Sequence, residues 1–319
     1  MHFLTSIFPK IERYVIVFIL MVSLFMDKIL RSCGTHDGAF HADEVTACAL
    51  LLLFDKIDEN KIIRTRDPLK LELCQYICDV GGIYEPEKKL FDHHQIDYQG
   101  LMSSAGMILL YLKTTGVISD KAYLFFNQNL ILGVDAHDNG RDLQIPGVCT
   151  YSHIISSFIP VPQDVNHEVI NHSFFEALNF SLQFLKRIWK RFQYTQECSE
   201  IVALAMKPNN NYLFFEKNIP WIDLFFELGG VQHPAEFVIM PSGDHWKLRG
   251  IPPNNQERMK TRVPLPLQWA GLLDQELKKV CGIDGAIFCH KGRFISVFET
   301  KEDALLALEQ VMKEKNKES

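Results

Sequence analysis

Between residues 28 and 94, short apolar runs alternate with longer stretches of helical character, and the runs stop on acidic or imidazole side chains. Residues 28–33 read as a first strand, bounded by Gly34 and followed by His36. Asp43 or Glu44 opens a helix that is apolar nearly all round, which marks it as buried. Residues 61–66 read as a second strand ended by Asp67-Pro68, and residues 69–76 fit a helix. Residues 77–80 and 88–91 make two further short strands, the first carrying Asp79 and the second running into Asp92. Ser103 and Ser104 fit the N-cap of a helix reaching about Thr114, and Asp120 fits the cap of a longer one toward Asp135, with Gly140 just beyond. Strands and helices in alternation predict an α/β fold: a mainly parallel sheet with helices on both faces. Such sheets form their sites where strands end at the carboxyl edge, so the residues at those ends carry the functional argument.

The remainder has a different texture. Residues 171–197 read as a long amphipathic helix, with Leu182, Leu185, Trp189 and Phe192 on one side and Lys186, Arg187, Lys190 and Arg191 on another. From about residue 206 the chain turns aromatic- and proline-rich, with strand-like pieces at 236–240, 245–250, 285–289 and 293–298 and a last helix over about 301–314. The expected organisation is a metal-binding catalytic domain over 27–170, a connecting helix over 171–205, and a smaller C-terminal α+β substrate-binding domain over 206–319. Residues 14–26 are an apolar run after Lys10 and Arg13. The run is shorter than the ~20 residues of a membrane span, and no small-x-small cleavage site follows it. Residues 1–26 are therefore set apart from the fold, with translation from Met26 the favoured reading.

A formal net charge of −6 excludes a protein that binds nucleic acid through the field of its whole surface; such contact must use a local patch or metal ions. Eight cysteines, dispersed and several of them within apolar runs, read as reduced buried thiols and a cytoplasmic location. Cys74 and Cys78 are spaced to share a helix face and read as core packing.

Four clusters carry candidate chemistry: His36 to Glu44, with two histidines and three acids; Asp79; Asp92-His93-His94; and Asp135-Ala136-His137-Asp138. Singly, His36 or His41 reads as a loop residue, Asp79 as a turn cap, and Asp135 as the end of a helix. Adjacent histidines at a strand end have little structural use, and the joint occurrence, each cluster at an expected loop edge, favours a metal site. Imidazoles with carboxylates suit Mn²⁺, with Zn²⁺ or Co²⁺ as alternatives. Two such ions can clamp the attacking and leaving oxygens around phosphorus.

The Asp-His-His run with its upstream His/Asp loop, isolated Asp79 and downstream Asp135 resembles the DHH phosphoesterase superfamily. Closer still, GlyThrHisAspGlyAlaPheHisAlaAspGlu at 34–44, AspValGlyGlyIleTyrGluPro at 79–86, PheAspHisHisGln at 91–95 and GlyValAspAlaHisAspAsnGly at 133–140 are similar to the melanocyte-proliferating-gene (Myg) family of exonucleases. TrpLysLeuArgGlyIlePro at 246–252, ArgValProLeuProLeuGlnTrpAlaGlyLeu at 262–272 and GlyAlaIlePheCysHisLysGlyArgPheIle at 285–295 extend the resemblance to about residue 298. It implies a DHH-type fold and two divalent ions, Mn²⁺ first, with Mg²⁺, Co²⁺ or Zn²⁺ as alternatives. One ion would take His36, His41 and Asp79, the other Asp43, Asp79, His93 and Asp135, so that Asp79 bridges. His94 would contact the scissile phosphate, Asp92 would orient a histidine, and Arg262 and His290 would bind substrate from the second domain, across a cleft. The implied reaction is 3′–5′ exonucleolytic hydrolysis of single-stranded RNA or a short oligonucleotide to nucleoside 5′-monophosphates. Two features depart from the superfamily: His41 stands where Asp is usual, one residue further from His36, and GlyArgPheIleSerVal replaces the glycine-rich substrate motif. A small-molecule phosphohydrolase acting on a dinucleotide or pyrophosphate would share every ligand, and a metal-binding scaffold or a membrane-tethered form are further alternatives.

Overall fold

The computed structural model describes residues 27–161 and 166–318, so the apolar run at 14–26 lies outside the described residues. No described helix is long and apolar enough to cross a membrane. The chain divides into two compact units, the first running through Lys190 and the second beginning at Arg191. The division falls inside one long helix, His167–Glu197, within the stretch expected to connect the domains.

The first unit holds a five-stranded sheet of order β2-β1-β3-β5-β4, made of β1 (Ile29–Thr35), β2 (Ile62–Arg64), β3 (Cys74–Cys78), β4 (Tyr84–Glu85) and β5 (Leu90–Phe91). β1 pairs in parallel with β2 and β3, and β3 with β5; only β4 runs antiparallel. The parallel arrangement brings the ends of β1, β3 and β5 to one edge, and the residues just past those ends are His36, Asp79 and Asp92. Helix α1 (Ala42–Leu53) is buried on all sides over its first ten residues, Ala42 through Leu51. Its small residues Ala47, Cys48 and Ala49 are fully buried, and the Cys48 thiol lies 3.9 Å from that of Cys33 on β1, itself 3.8 Å from Cys78 on β3. All eight cysteines are free.

Three local expectations are corrected. The helix foreseen over 69–76 is only one turn, α2 (Pro68–Leu71), and Cys74 already belongs to β3. Pairing with both β1 and β5 buries this segment, and that tertiary gain overrides a weak helical preference. Cys74 and Cys78 thus lie on a strand. Helix α3 (Ser104–Thr114) has Ser103 at its N-cap position without a side-chain cap bond, because the Ser103 hydroxyl is used elsewhere. The helix expected from Asp120 is capped by Ser119, whose Oγ accepts from Ala122 N at 3.2 Å. It runs as α4 (Asp120–Phe126), a π-helical turn over Asn127–Ile131, and α5 (Leu132–Asp138). Each π turn inserts a residue into the helical count and rotates the downstream side chains by about 100° relative to an unbroken helix, which sets the facing of Asp135 and Asp138. Helices α6 (Tyr151–Ser156) and α7 (His167–Glu197) complete the unit, with Trp189 of α7 stacked 5.8 Å from Phe126.

The second unit begins with α8 (Ser199–Met206), β6 (Tyr212–Phe214) and α9 (Ile222–Glu227). They are followed by β7 (Phe237–Ser242), β8 (His245–Gly250), α10 (Asp274–Cys281), β9 (Ala286–Cys289), β10 (Ile295–Phe298) and α11 (Lys301–Glu318). Its sheet, in the order β6-β7-β8-β10-β9, is antiparallel apart from the β6–β7 pair. Alternation along β7 serves two cores: Phe237 and Ile239 pack with Leu277, Phe298 and Leu308, while Val238 and Met240 pack with Leu213, Trp221 and Phe225. A strand buried on both faces reads as an unbroken apolar run.

Candidate metal centre

The centre starts from Asp79, which is 4% exposed although it is ionisable. It directly follows β3, and its backbone takes the left-handed conformation (φ 57°), which Asp tolerates better than most residues. That turn aims the carboxylate back across the sheet edge. Oδ2 lies 3.2 Å from His36 Nε2; Oδ1 lies 3.4 Å from His94 Nδ1 and 3.7 Å from His93 Nε2. Oδ1 is buried without a hydrogen-bond partner, and so is His93 Nε2. Burial raises the Asp79 pKa, partly offset by His36.

His36 is placed by the end of β1. Its Nδ1 sits 3.0 Å from the Asp37 carbonyl, leaving Nε2 for Asp79 and for Glu44 Oε1 at 3.1 Å. Burial opposes the charged ring, but the Asp79 and Glu44 carboxylates outweigh it and raise its pKa to about 10. His41 is the N-cap residue of α1, its N–H donating to both Glu44 carboxylate oxygens at 3.0 Å. His36, His41, Glu44 and Asp79 form one group with ligating atoms within 4.8 Å of one another. Arg64 supports the loop: Nη2 donates to Gly38 O at 2.7 Å, Nη1 to Asn171 Oδ1 at 2.8 Å, and the guanidinium stands 4.4 Å from the Phe174 ring centroid.

A second set lies around His93. Asp79, His93 and His94 form one group, and Asp43, His93 and Asp138 another. His93 Nε2 is 2.9 Å from Asp138 Oδ2, without the alignment of a hydrogen bond, and the Asp138 carboxylate is the main cause of a His93 pKa near 9. Asp43 is fully buried; it accepts from Ser103 Oγ at 2.6 Å, Ser104 N at 3.0 Å and Ala105 N at 2.6 Å, so it caps α3 from a distance. Burial pushes its pKa well up, and the nearby Asp79 adds to this.

Two acids stand otherwise than their place in the sequence suggests. Asp135 belongs to none of these groups. Its Oδ1 accepts from Ser103 N at 3.0 Å and Ser103 Oγ at 2.8 Å, at the start of α3, and Asp138, one turn later on α5, meets His93 instead. Glu44 belongs to the first cluster but not to the expected ligand set; it is completely buried beside His36, which spacing does not show. Asp92 accepts from His94 Nδ1 at 2.7 Å, His94 N at 3.1 Å and Gly82 N at 2.5 Å. Burial raises its pKa, but these donors hold it below the ordinary value. His94 itself is 62% exposed at the side chain.

In the second unit, the Arg262 guanidinium donates to the carbonyls of Gly230 (2.6 Å), His233 (2.6 Å), Ala235 (2.8 Å) and Pro252 (3.2 Å). It ties loops together, which leaves no donor fork for substrate. His290 Nδ1 accepts from Gly292 N at 2.9 Å in the β9–β10 turn. Arg249 on β8 has a buried Nε without a hydrogen-bond partner, and its guanidinium stands 6.0 Å and 5.9 Å from the Trp221 and Phe294 ring centroids.

Fold and site together define an α/β protein with a His–carboxylate cluster of metal-ligand type at the carboxyl edge of a parallel sheet. The donor set suits borderline divalent ions, and the buried Asp79 Oδ1 and His93 Nε2, both without a hydrogen-bond partner, fit a pair of metal ligands. The family model described as "Uncharacterised protein family (UPF0160)", that of the MYG1 exonucleases, matches residues 32–311. A MYG1 protein of Chlamydia pneumoniae is 51% identical over 288 residues, covering 90% of this chain and 99% of that one. The MYG1 exonuclease of Homo sapiens is 30% identical over 321 residues, covering 85% of this chain and 83% of its own. The chain belongs to the MYG1 family. Among solved structures, RecJ of Thermus thermophilus in complex with Mn²⁺ aligns with a TM-score of 0.26 at 11% identity, covering 88% of this chain and 52% of RecJ.

Proposed function

We propose that this chain is a metal-dependent phosphoester hydrolase, a 3′–5′ exonuclease that shortens single-stranded RNA or short oligonucleotides to nucleoside 5′-monophosphates. The observation that carries this is Asp79: one buried carboxylate shared by two groups of candidate ligands, with Oδ1 unpaired. Several relatives bear the name exonuclease, which supports the reaction class.

The residues fit two divalent ions, Mn²⁺ first. His36, His41, Glu44 and Asp79 would hold one, and Asp79, His93, Asp43 and Asp138 the other. The ions supply Lewis-acid stabilisation of charge developing on phosphate oxygens. The chain's own residues do the rest. Asp92 fixes the His94 ring through Nδ1, so its exposed Nε2 edge is free to bind a phosphate oxygen or give it a proton. Eight free cysteines favour the cytoplasm as the place of action.

The test is hydrolysis of 5′-labelled single-stranded RNA with Mn²⁺, comparing wild type, Asp79→Ala and a chelator control. A ladder shortening from the 3′ end in wild type alone supports the reading. Metal bound with RNA left intact sinks the exonuclease, and dinucleotides and pyrophosphate then become the substrates to try.

A further inference from the structure

Outside the centre, His137 at the end of α5, Asp142 in the following loop and His153 on α6 each bring a ligating atom within 4.8 Å of the others. His137 Nδ1 stands 2.8 Å from Asp142 Oδ2, and the two imidazole rings are 5.3 Å apart, edge to face. His153 Nδ1 is held 3.0 Å from Thr150 Oγ1. None of the three belongs to the groups around Asp79 and His93. Neighbouring positions on a helix diverge by about 100°, so His137 leaves α5 on a different side from Asp138.

Two imidazoles and one carboxylate are the three-ligand set of an open Zn²⁺ site, with water in the fourth position. Hard cations such as Mg²⁺ prefer all-oxygen surroundings and are not favoured here. The three residues are partly buried, which shields the site while leaving an entry path. Residues 139–150, between α5 and α6, contain no helix or strand.

We propose that His137, Asp142 and His153 form a separate divalent transition-metal site, with Zn²⁺ preferred, that pins the 139–150 loop to the ends of α5 and α6. Closing this loop restricts the chain just after Asp138. The site stands apart from the proposed hydrolysis: a failed nuclease assay leaves its metal count unchanged.

The test strips the full chain with a chelator, titrates Zn²⁺ alone against a chromophoric competitor, and counts bound zinc by mass spectrometry. His153→Ala and Asp142→Ala should each hold one Zn²⁺ fewer than wild type while keeping the rest. Equal counts in wild type and variants overturn the proposal. A second reading needs no variant: Arg141 is exposed inside the bridged loop. Zn²⁺ at ten times its dissociation constant should slow tryptic cleavage after Arg141 about tenfold relative to other sites. If a variant fails to fold, this rate decides alone, and no protection by Zn²⁺ sinks the site.

Discussion

His93 Nε2 lies 2.9 Å from Asp138 Oδ2, whereas Asp135, one turn earlier on the same helix, spends its carboxylate on Ser103 at the start of α3. The two acids of one short motif therefore have different work. Asp138→Ala should lower Mn²⁺ affinity by at least about 100-fold, beyond the cost of losing an outer partner. Asp135→Asn should act mainly on thermal stability. Calorimetric metal titration of both variants checks this, and equal losses of affinity would refute the assignment.

The Asp135 carboxylate is fitted against Gly106. A Cβ there would fall 2.5 Å from Asp135 Oδ2, so Gly106→Ala must displace the acid or the helix. Overpacking of this kind costs about 1–3 kcal/mol. A lowered midpoint in urea with an unchanged slope is expected; an unchanged midpoint would mean that α3 yields freely.

Protons and metal compete at the centre. His36 is raised to about 10, so its contribution to the stability of metal-stripped protein is complete below about 6.5 and is lost as pH rises through 10. Asp135, raised to about 6, favours the folded state below about pH 4, an advantage lost as pH climbs through 6. Stripped protein should thus lose stability with rising pH in both windows, and Mn²⁺ affinity should grow between pH 6.5 and 10 as the ion displaces the His36 proton. Thermal melts with and without Mn²⁺ across this range test it, and a flat affinity would count against His36 as a ligand.

Arg262 and Arg249 should separate cleanly. Arg262→Ala breaks four bonds to carbonyls and should destabilise by about 1–3 kcal/mol. Lysine should not restore it, because the planar fork is lost. Arg249→Ala removes a buried Nε that has no hydrogen-bond partner and should change the melting temperature less than Arg262→Ala. Melts of both variants would expose a reversal.

Asp92→Asn removes the negative charge that holds His94 Nδ1, and Gly82 N also loses a carboxylate acceptor. The expected result is a roughly 10–100-fold fall in kcat with metal stoichiometry intact. Loss of bound metal would instead make Asp92 part of the ion's own support.

Much of the first unit is legible in the order of residues along the chain. Alternation of short apolar runs with helices fixed the parallel sheet, since only covered strands can be apolar without interruption. Acids and imidazoles at the ends of those runs brought His36, Asp79 and His93 together at one edge. Tertiary structure decided what periodicity does not encode. The segment at 69–76 gives its last three residues to β3, because β1 pairs with them. Ser103 gave up its cap because two buried acids claimed its hydroxyl. A π turn set the facing of α5, and with it which of Asp135 and Asp138 meets His93. Arg262 and Arg249 look alike in a sequence, and only the carbonyls around one and the orphaned Nε of the other tell them apart. Spacing records which side chains a segment carries; their partners come from segments far away in the chain, and three-dimensional packing alone selects them.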